Sequence, residues 1–248
     1  MSRLLRLLPV VLILIVAGPV AATADPIDDA VKARKTGNYT RAYRILRPLA
    51  EKGDPRAQHE LGYAYEFGET PSKAHRIDRL KLARKWYERS AAQNYTPGKR
   101  ALGSYLVGHG IDAMQGYRIL LALAEAGDAE SQALLGYQMA ERAKIELPER
   151  FRIPGTAAEG LAWLWKAVDQ KSQTAAFYLQ QFHMQYGSHA KAYFWKLILD
   201  GLSEQRMPMG QPPVTDGFTK KQRADIERRA AAWLTARGLK PMHRVKTK

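Results

Sequence analysis

The sequence contains no cysteine. This absence excludes disulfide-stapled folds, cysteine-ligated zinc or iron–sulfur sites, cysteine nucleophiles and a lipid-modified N-terminal cysteine. Common catalytic signatures are missing as well, since the sequence has no P-loop, dinucleotide-binding, H-E-x-x-H or G-x-S-x-G motif. The six histidines are scattered, and even the closest pair, His183 and His189, lacks a ligand spacing. The sequence therefore predicts no catalytic residue, no metal site and no cofactor.

A long hydrophobic run occurs only at the N-terminus. A basic segment precedes the apolar stretch 7–17, and the small residues Ala22 and Ala24 stand just before Asp25. This layout is typical of a secretory signal peptide that is cleaved after Ala24. We therefore expect residues 1–24 to be a signal peptide and the mature chain to be periplasmic or secreted. The alternative is an uncleaved membrane anchor, for which the uncharged stretch of 18 residues is marginal.

Acidic residues are few relative to basic ones. The chain has 39 Lys and Arg against 24 Asp and Glu, a formal charge of +15. Such a charge in a cytoplasmic protein favours nucleic-acid binding, but the sequence has no nucleic-acid motif and export removes nucleic acid from reach. We therefore expect no nucleic-acid partner. The targets that fit are an acidic protein or an anionic envelope component, unless the charge serves solubility alone.

An internal repeat organises the chain that follows the predicted signal peptide. Segments 43–63 and 117–137 are identical at 13 of 21 positions, at an offset of 74 residues. Because 74 is twice 37, the spacing predicts another unit between them, and the Leu-Gly pair at 102–103 belongs to it. A weaker fourth unit passes through Leu179. The sequence therefore predicts about four repeats.

Each unit is predicted to contain two helices. Apolar residues recur every three or four positions between 40 and 52, which predicts a first helix. Gly53 supplies a left-handed end to that helix, and Asp54 can cap the next one. Glycine inside a helix costs about 1 kcal/mol relative to alanine, so its recurrence in the second helices predicts close helix approach. The repeat signature consists of Gly53, Leu61, Gly62, Leu102, Gly103, Gly127, Leu135 and Gly136.

This layout resembles the Sel1-like repeat family, a relative of the tetratricopeptide repeat. The resemblance implies an all-α fold, a right-handed α-solenoid of about four helix pairs with a C-terminal capping helix. Asn94 and Lys171 depart from it, because they stand where the family has a helix-ending glycine. The residues that carry the resemblance are Ala57-Gln58, Leu61-Gly62, Tyr65 and Gly68, then Ala83, Trp86, Tyr87 and Ala91, and again Ser131-Gln132, Leu135-Gly136, Ala162-Trp163 and Lys166-Ala167.

The C-terminal part differs in composition from the repeats. Residues 190–200 are apolar and aromatic, which predicts a last packing helix for a repeat domain that spans 25–203. Proline and glycine in 204–217 predict an irregular connector. Residues 218–238 are predicted to form a capping helix that begins at Thr219, followed by a basic tail at 239–248.

Four residues are candidates for partner binding. Tyr87 and Trp165 each neighbour a core position, so we expect them to turn partly outward, and exposed aromatic residues are common binding hot spots. Arg44 and Arg118 occupy equivalent positions of two units and add positive charge. Most other aromatic residues recur at core spacing, which favours a packing role.

These observations predict an exported, non-catalytic scaffold that binds a protein partner, an acidic one if charge drives binding, or an anionic envelope component. Two alternatives stay open. One is a periplasmic regulator that binds and restrains a membrane sensor or a polysaccharide pathway. The other is a cell-wall-directed hydrolase, which the resemblance implies, although the cysteine pairs of such relatives are absent. The sequence leaves the partner's identity and the oligomeric state open.

Overall fold

The computed structural model describes residues 25–71, 74–203 and 217–240. Those residues form eleven α-helices, a short 3-10 helix at Glu149–Phe151 and no β-strand. The predicted signal peptide, nearly all of the connector and most of the basic tail lie outside the described residues. The helices are α1 Pro26–Lys35, α2 Tyr39–Glu51, α3 Pro55–Phe67, α4 Arg76–Ala92, α5 Thr96–Gly108, α6 Ala113–Glu125, α7 Ala129–Arg142, α8 Ala157–Asp169, α9 Gln173–Gln185, α10 His189–Leu202 and α11 Lys220–Thr235.

Four consecutive helix pairs, α2–α3 through α8–α9, form the array, with α1 before them and α10 and α11 after them. Each helix packs against the next, and each odd-numbered helix from α1 to α7 also packs against the following odd-numbered helix. The odd-numbered helices therefore form the tighter of two layers. The predicted all-α solenoid of about four helix-pair repeats is confirmed.

The turn inside each pair has the geometry that the repeat predicts. Gly53 and Gly127 adopt positive φ angles of 100° and 94°, and the caps that follow accept hydrogen bonds from the first turns of α3 and α7. Asn94 and Lys171, which replace glycine in the other two pairs, also adopt positive φ, 61° and 65°. The backbone conformation is thus kept in all four pairs even where the glycine is lost.

The glycines in the second helices lie where one pair meets the next. A Cβ at Gly62 would lie 2.7 Å from the Tyr87 ring, and one at Gly136 would lie 2.5 Å from the carbonyl oxygen of Gly160. Gly103 faces Leu120 of α6 in the same way. The predicted close approach of helices is confirmed, because any larger residue here would push neighbouring pairs apart.

The core runs between the two layers. The repeated leucines Leu61, Leu102, Leu135 and Leu179 are all buried, and each belongs to a core cluster that includes residues of a neighbouring pair. Buried glutamines tie the pairs further: Gln58 Nε2 donates to the Ala50 carbonyl at the end of α2 over 3.1 Å. The same carbonyl also accepts from the Gly53 N–H over 3.1 Å, so the end of α2 is held both by its own turn and by α3.

The array ends in α10 and α11. Thr219 and Gln222 form a capping box at the start of α11, and Ile226, Ala230 and Leu234 are its buried face. Gly201 of α10 allows Leu234 to approach closely. No helix within the described parts of the chain combines the length and apolarity needed to cross a membrane.

Candidate functional site

Trp165, one of the two aromatic candidates, lies on α8 and is 43% exposed. Its ring meets the Trp195 ring edge to face, with 4.7 Å between centroids. Trp195 is itself buried and also contacts Phe194 and Trp233. The expected outward turn of Trp165 is confirmed, and the ring is held in place by an aromatic cluster beneath it.

Tyr87, the other aromatic candidate, is buried, and the expectation that it turns outward is wrong. Only 1% of the residue is exposed. Its ring packs on Gly62 of the preceding pair, and its hydroxyl donates to Glu66 Oε2 over 2.8 Å. Burial and the Glu66 carboxylate raise the pKa of Tyr87, so the phenol stays neutral. Tyr87 therefore joins two repeats and offers nothing to a partner.

The two arginine candidates are exposed, Arg44 on α2 and Arg118 on α6. Neither lies in the cleft around Trp165. Repeat equivalence alone therefore does not place them in a site.

A cleft opens between α8, α9, α10 and α11, with Trp165 on its wall. Its volume is about 500 Å³, within the range of about 300–1,000 Å³ that is typical of ligand pockets. Four rings form part of the wall: Trp165, His183, Phe194 and Trp195. Ile226 and Arg229 of α11, a helix distant from α8 in the sequence, complete it. We call this the aromatic cleft; it is lined by Leu161, Trp165, His183, Ser188, Ala190, Lys191, Phe194, Trp195, Ile226 and Arg229.

The charge of the aromatic cleft is positive. Lys191 and Arg229 are exposed and line it, and no carboxylate does. The Arg229 guanidinium lies 5.9 Å from the Phe194 ring centroid, close enough for a cation–π contact. Burial, followed by the nearby Lys191 charge, lowers the pKa of His183, so its ring is neutral at pH 7. Two fixed cations thus face an aromatic wall.

A second cavity of about 400 Å³ continues from the aromatic cleft along α11. The two cavities share Ala190, Ile226 and Arg229 and are therefore adjacent, and we call the two together the groove. Asp225 forms an ion pair with Arg228 over 2.9 Å. Lys221 is exposed and lines the same cavity. We call this part the cationic shelf; it is lined by Ala190, Phe218, Lys221, Gln222, Asp225, Ile226, Arg228 and Arg229.

Comparison with protein-family models finds no match, and no curated protein is significantly similar to the chain. Among solved structures, the chain is similar to the crystal structure of a Sel1 repeat protein from Oxalobacter formigenes. That similarity covers 87% of this chain and 78% of the other, with 17% sequence identity and a TM-score of 0.47. The four helix pairs, with their repeated caps, glycines and leucines, have the fold predicted from the Sel1-like sequence pattern.

A third cavity, of about 470 Å³, is lined by residues of α4, α5 and the 3-10 helix. It is cationic as well, since Arg76, Lys81 and Arg84 line it, but Lys81 pairs with Asp78 over 3.4 Å and Arg84 with Glu88 over 2.7 Å. Tryptophan lines the aromatic cleft and not this cavity. The aromatic cleft and cationic shelf are therefore the stronger candidate for binding an anionic, partly aromatic segment.

Lys191 and Arg229 were missed as individual site residues. The sequence shows a basic cluster around Arg229, but it does not show that α10 and α11 meet α8. Within residues 25–71, 74–203 and 217–240, no three His, Cys, Asp or Glu side chains are grouped to hold a metal ion. Fixed cations and aromatic rings suit binding of an anionic, partly apolar segment.

Proposed function

We propose that this chain is an exported, non-catalytic helical-repeat scaffold that binds an acidic protein partner at the end of its array. One observation carries the proposal. The aromatic cleft and cationic shelf together present four cationic side chains and one carboxylate. The cations are Lys191, Lys221, Arg228 and Arg229. Such a surface attracts acidic partners, and aromatic and arginine side chains dominate the binding energy of many interfaces.

Export is supported by the N-terminal sequence. A basic start, an apolar stretch and small residues before Asp25 are the three parts of a signal peptide. Removal of residues 1–24 lowers the formal charge from +15 to +13, because two arginines and no acid are lost. N-terminal sequencing of the protein from its native host should start at Asp25. An intact N-terminus would replace export with membrane anchoring.

The absence of catalysis is supported by the sequence, which has no common catalytic motif. The groove is lined mainly by cations and apolar rings, and His183 is the one imidazole among its lining residues. The purified mature chain should therefore release no product from peptidoglycan fragments. Turnover that is lost on substitution of a groove residue would establish the hydrolase alternative instead.

Site-specific crosslinking in the native host tests the scaffold proposal. A photoreactive amino acid placed at Trp165 should give one discrete protein adduct, since this position lies on the groove and is exposed. The same probe at Arg44 or Arg118, exposed positions outside the groove, serves as the matched control. Equal adducts from all three positions, or none from Trp165, would contradict the proposal. The partner recovered from Trp165 also decides between a passive scaffold and a regulator of a membrane sensor.

A further inference from the structure

We propose that the groove recognises a short acidic segment that carries one aromatic side chain, and that the aromatic side chain enters the aromatic cleft. This inference rests on the proposed function and specifies its ligand. The carboxylates on one side of the aromatic residue pair with Lys191 and Arg229. Those on the other side lie along the cationic shelf, where Lys221 is exposed and Arg228 already pairs with Asp225.

The aromatic part of the ligand follows from the cleft wall. Trp165 stands over the buried Trp195 with 4.7 Å between ring centroids and keeps 43% of its surface exposed. Phe194 forms the adjoining wall, in contact with Trp195 at 5.3 Å. A planar side chain that enters here finds ring edges and faces on two sides, the arrangement that aromatic groups prefer.

The acidic part of the ligand follows from the charges around the cleft. Lys191 and Arg229 line it without a carboxylate among the other lining residues. The planar guanidinium of Arg229 suits bidentate pairing with a carboxylate, and its position in both cavities places such a pair beside the aromatic side chain. On the shelf, Asp225 forms its ion pair with Arg228. A second carboxylate of the ligand can therefore pair with Lys221.

A protein segment fits this groove better than an anionic membrane surface. The cleft is recessed between four helices, and a recess takes a protruding side chain. A flat lipid surface would meet the exposed cations of α11 and would leave the aromatic wall unused. Binding to anionic vesicles is therefore an outcome that the experiment must distinguish.

Fluorescence anisotropy with labelled nine-residue peptides tests the inference on the mature chain, residues 25–248. The first peptide has a central phenylalanine among aspartate and glutamate residues. The second replaces the phenylalanine with alanine, and the third replaces every acid with its amide. We expect the first peptide to bind at least about tenfold more tightly than either of the others, and its affinity to fall as salt is raised.

Variants of the chain locate the binding. Trp165→Ala should lower the affinity for the first peptide about tenfold, so that the phenylalanine and alanine peptides bind this variant equally. Lys191→Glu and Arg229→Glu should each weaken the binding of both acidic peptides, and the phenylalanine peptide should still bind more tightly than the alanine peptide. Arg44→Glu and Arg118→Glu are matched exposed controls outside the groove, and circular dichroism melting confirms that each variant folds. The first peptide should bind these two controls as it binds the unaltered chain.

Three results would overturn the inference. The first is equal affinity for the phenylalanine and alanine peptides, which leaves the scaffold proposal to its own crosslinking test. The second is loss of binding in Arg44→Glu or Arg118→Glu that equals the loss in Lys191→Glu. The third is failure of the unaltered chain to bind the first peptide while it binds vesicles of anionic phospholipid regardless of Trp165→Ala, which would assign the groove to a membrane surface.

Discussion

Gln170 Nε2 donates a hydrogen bond to Gln132 Oε1 over 2.8 Å, and this bond joins the third helix pair to the fourth. Gln93 and Gln58 make the same bond, also 2.8 Å, between the first two pairs. Gln132 in turn donates to the Ala124 carbonyl at the end of α6 over 2.9 Å. The Gln132 side chain thus donates a hydrogen bond within its own helix pair and accepts one from the next pair. Hydrogen bonds between glutamines therefore join helix pairs beside the apolar contacts.

Gln132→Ala should lower the free energy of unfolding by about 1–3 kcal/mol, because two hydrogen bonds are lost where the residue is only 5% exposed. Urea denaturation followed by circular dichroism measures the change. Gln115→Ala, at an exposed position of α6, should change stability by less than about 0.5 kcal/mol. A loss of the same size in both variants would show that the buried glutamine has no special role.

Gly136→Ala should destabilise the chain by about 1–3 kcal/mol, because the new methyl group meets the backbone of α8 at Gly160 and Leu164. Gly108→Ala is the matched control: this glycine is also helical, but nothing lies within 4 Å of the methyl group. The Gly108→Ala variant should have a free energy of unfolding about 0.5 kcal/mol higher, because alanine lowers the backbone entropy of the unfolded chain. Thermal melts that rank the two variants in the opposite order would contradict the close-approach role of the repeated glycine.

Lys171→Gly should stabilise the chain by about 0.5–1 kcal/mol, since Lys171 adopts φ of 65°, a left-handed conformation that costs a side-chain-bearing residue free energy. Asn94→Gly should gain less, because asparagine tolerates this region better. Ala162→Gly, in an exposed position of α8, should lose about 1 kcal/mol and so controls for glycine itself. Urea denaturation midpoints, with an unchanged dependence of the free energy of unfolding on urea, give the stability change of all three variants. A lower stability of Lys171→Gly would refute the argument from backbone strain.

Asp128→Asn should remove a pH-dependent contribution to stability. Burial disfavours the Asp128 charge, but contacts with Ser131 and the charge of Arg100 outweigh it and hold the pKa of the carboxyl below its usual value. A lowered folded-state pKa stabilises the fold above the unfolded pKa of about 3.9 and ceases to do so as pH falls through the folded value. Asparagine keeps the oxygen that accepts from the Ser131 N–H, and it removes the charge together with the second oxygen, which accepts from Arg100 Nη2.

The variant should therefore be less stable by about 0.5–1 kcal/mol at pH 7, and the difference should shrink as pH falls below about 4. Stability measured by urea denaturation between pH 3 and pH 7 gives both curves. Asp112→Asn, at the exposed cap of α6, controls for the change of cap residue. A difference that stays constant with pH would exclude the charge as its cause.

The helix pairs could be predicted from the sequence because their signals are local. The turn at Gly53 and the cap at Asp54 depend on a few consecutive residues, and the repeat supplies each signal more than once. Even the substitutions at Asn94 and Lys171 did not hide the turns, since the period placed them. The prediction of about four helix pairs followed from this.

The site could be predicted only in part, because it depends on contacts between residues far apart in the chain. Tyr87 and Trp165 look alike in sequence, yet Tyr87 lies over a glycine of the preceding pair and is buried, whereas Trp165 has the open cleft beside it. Lys191 and Arg229 lie on helices that sequence analysis assigned to packing and capping. Their convergence depends on how α10 and α11 return to α8, which no local pattern specifies.

The groove belongs to the last helix pair and the two helices that end the array. An extra helix pair inserted upstream would extend the reach of the molecule and leave the groove unchanged, because each pair contacts mainly its neighbours. Loss of α11 would remove the end of the solenoid and one wall of the groove in a single step. If the groove binds as proposed, the number of helix pairs and the binding specificity can therefore change independently during evolution, whereas loss of α11 would affect both the end of the array and the binding site.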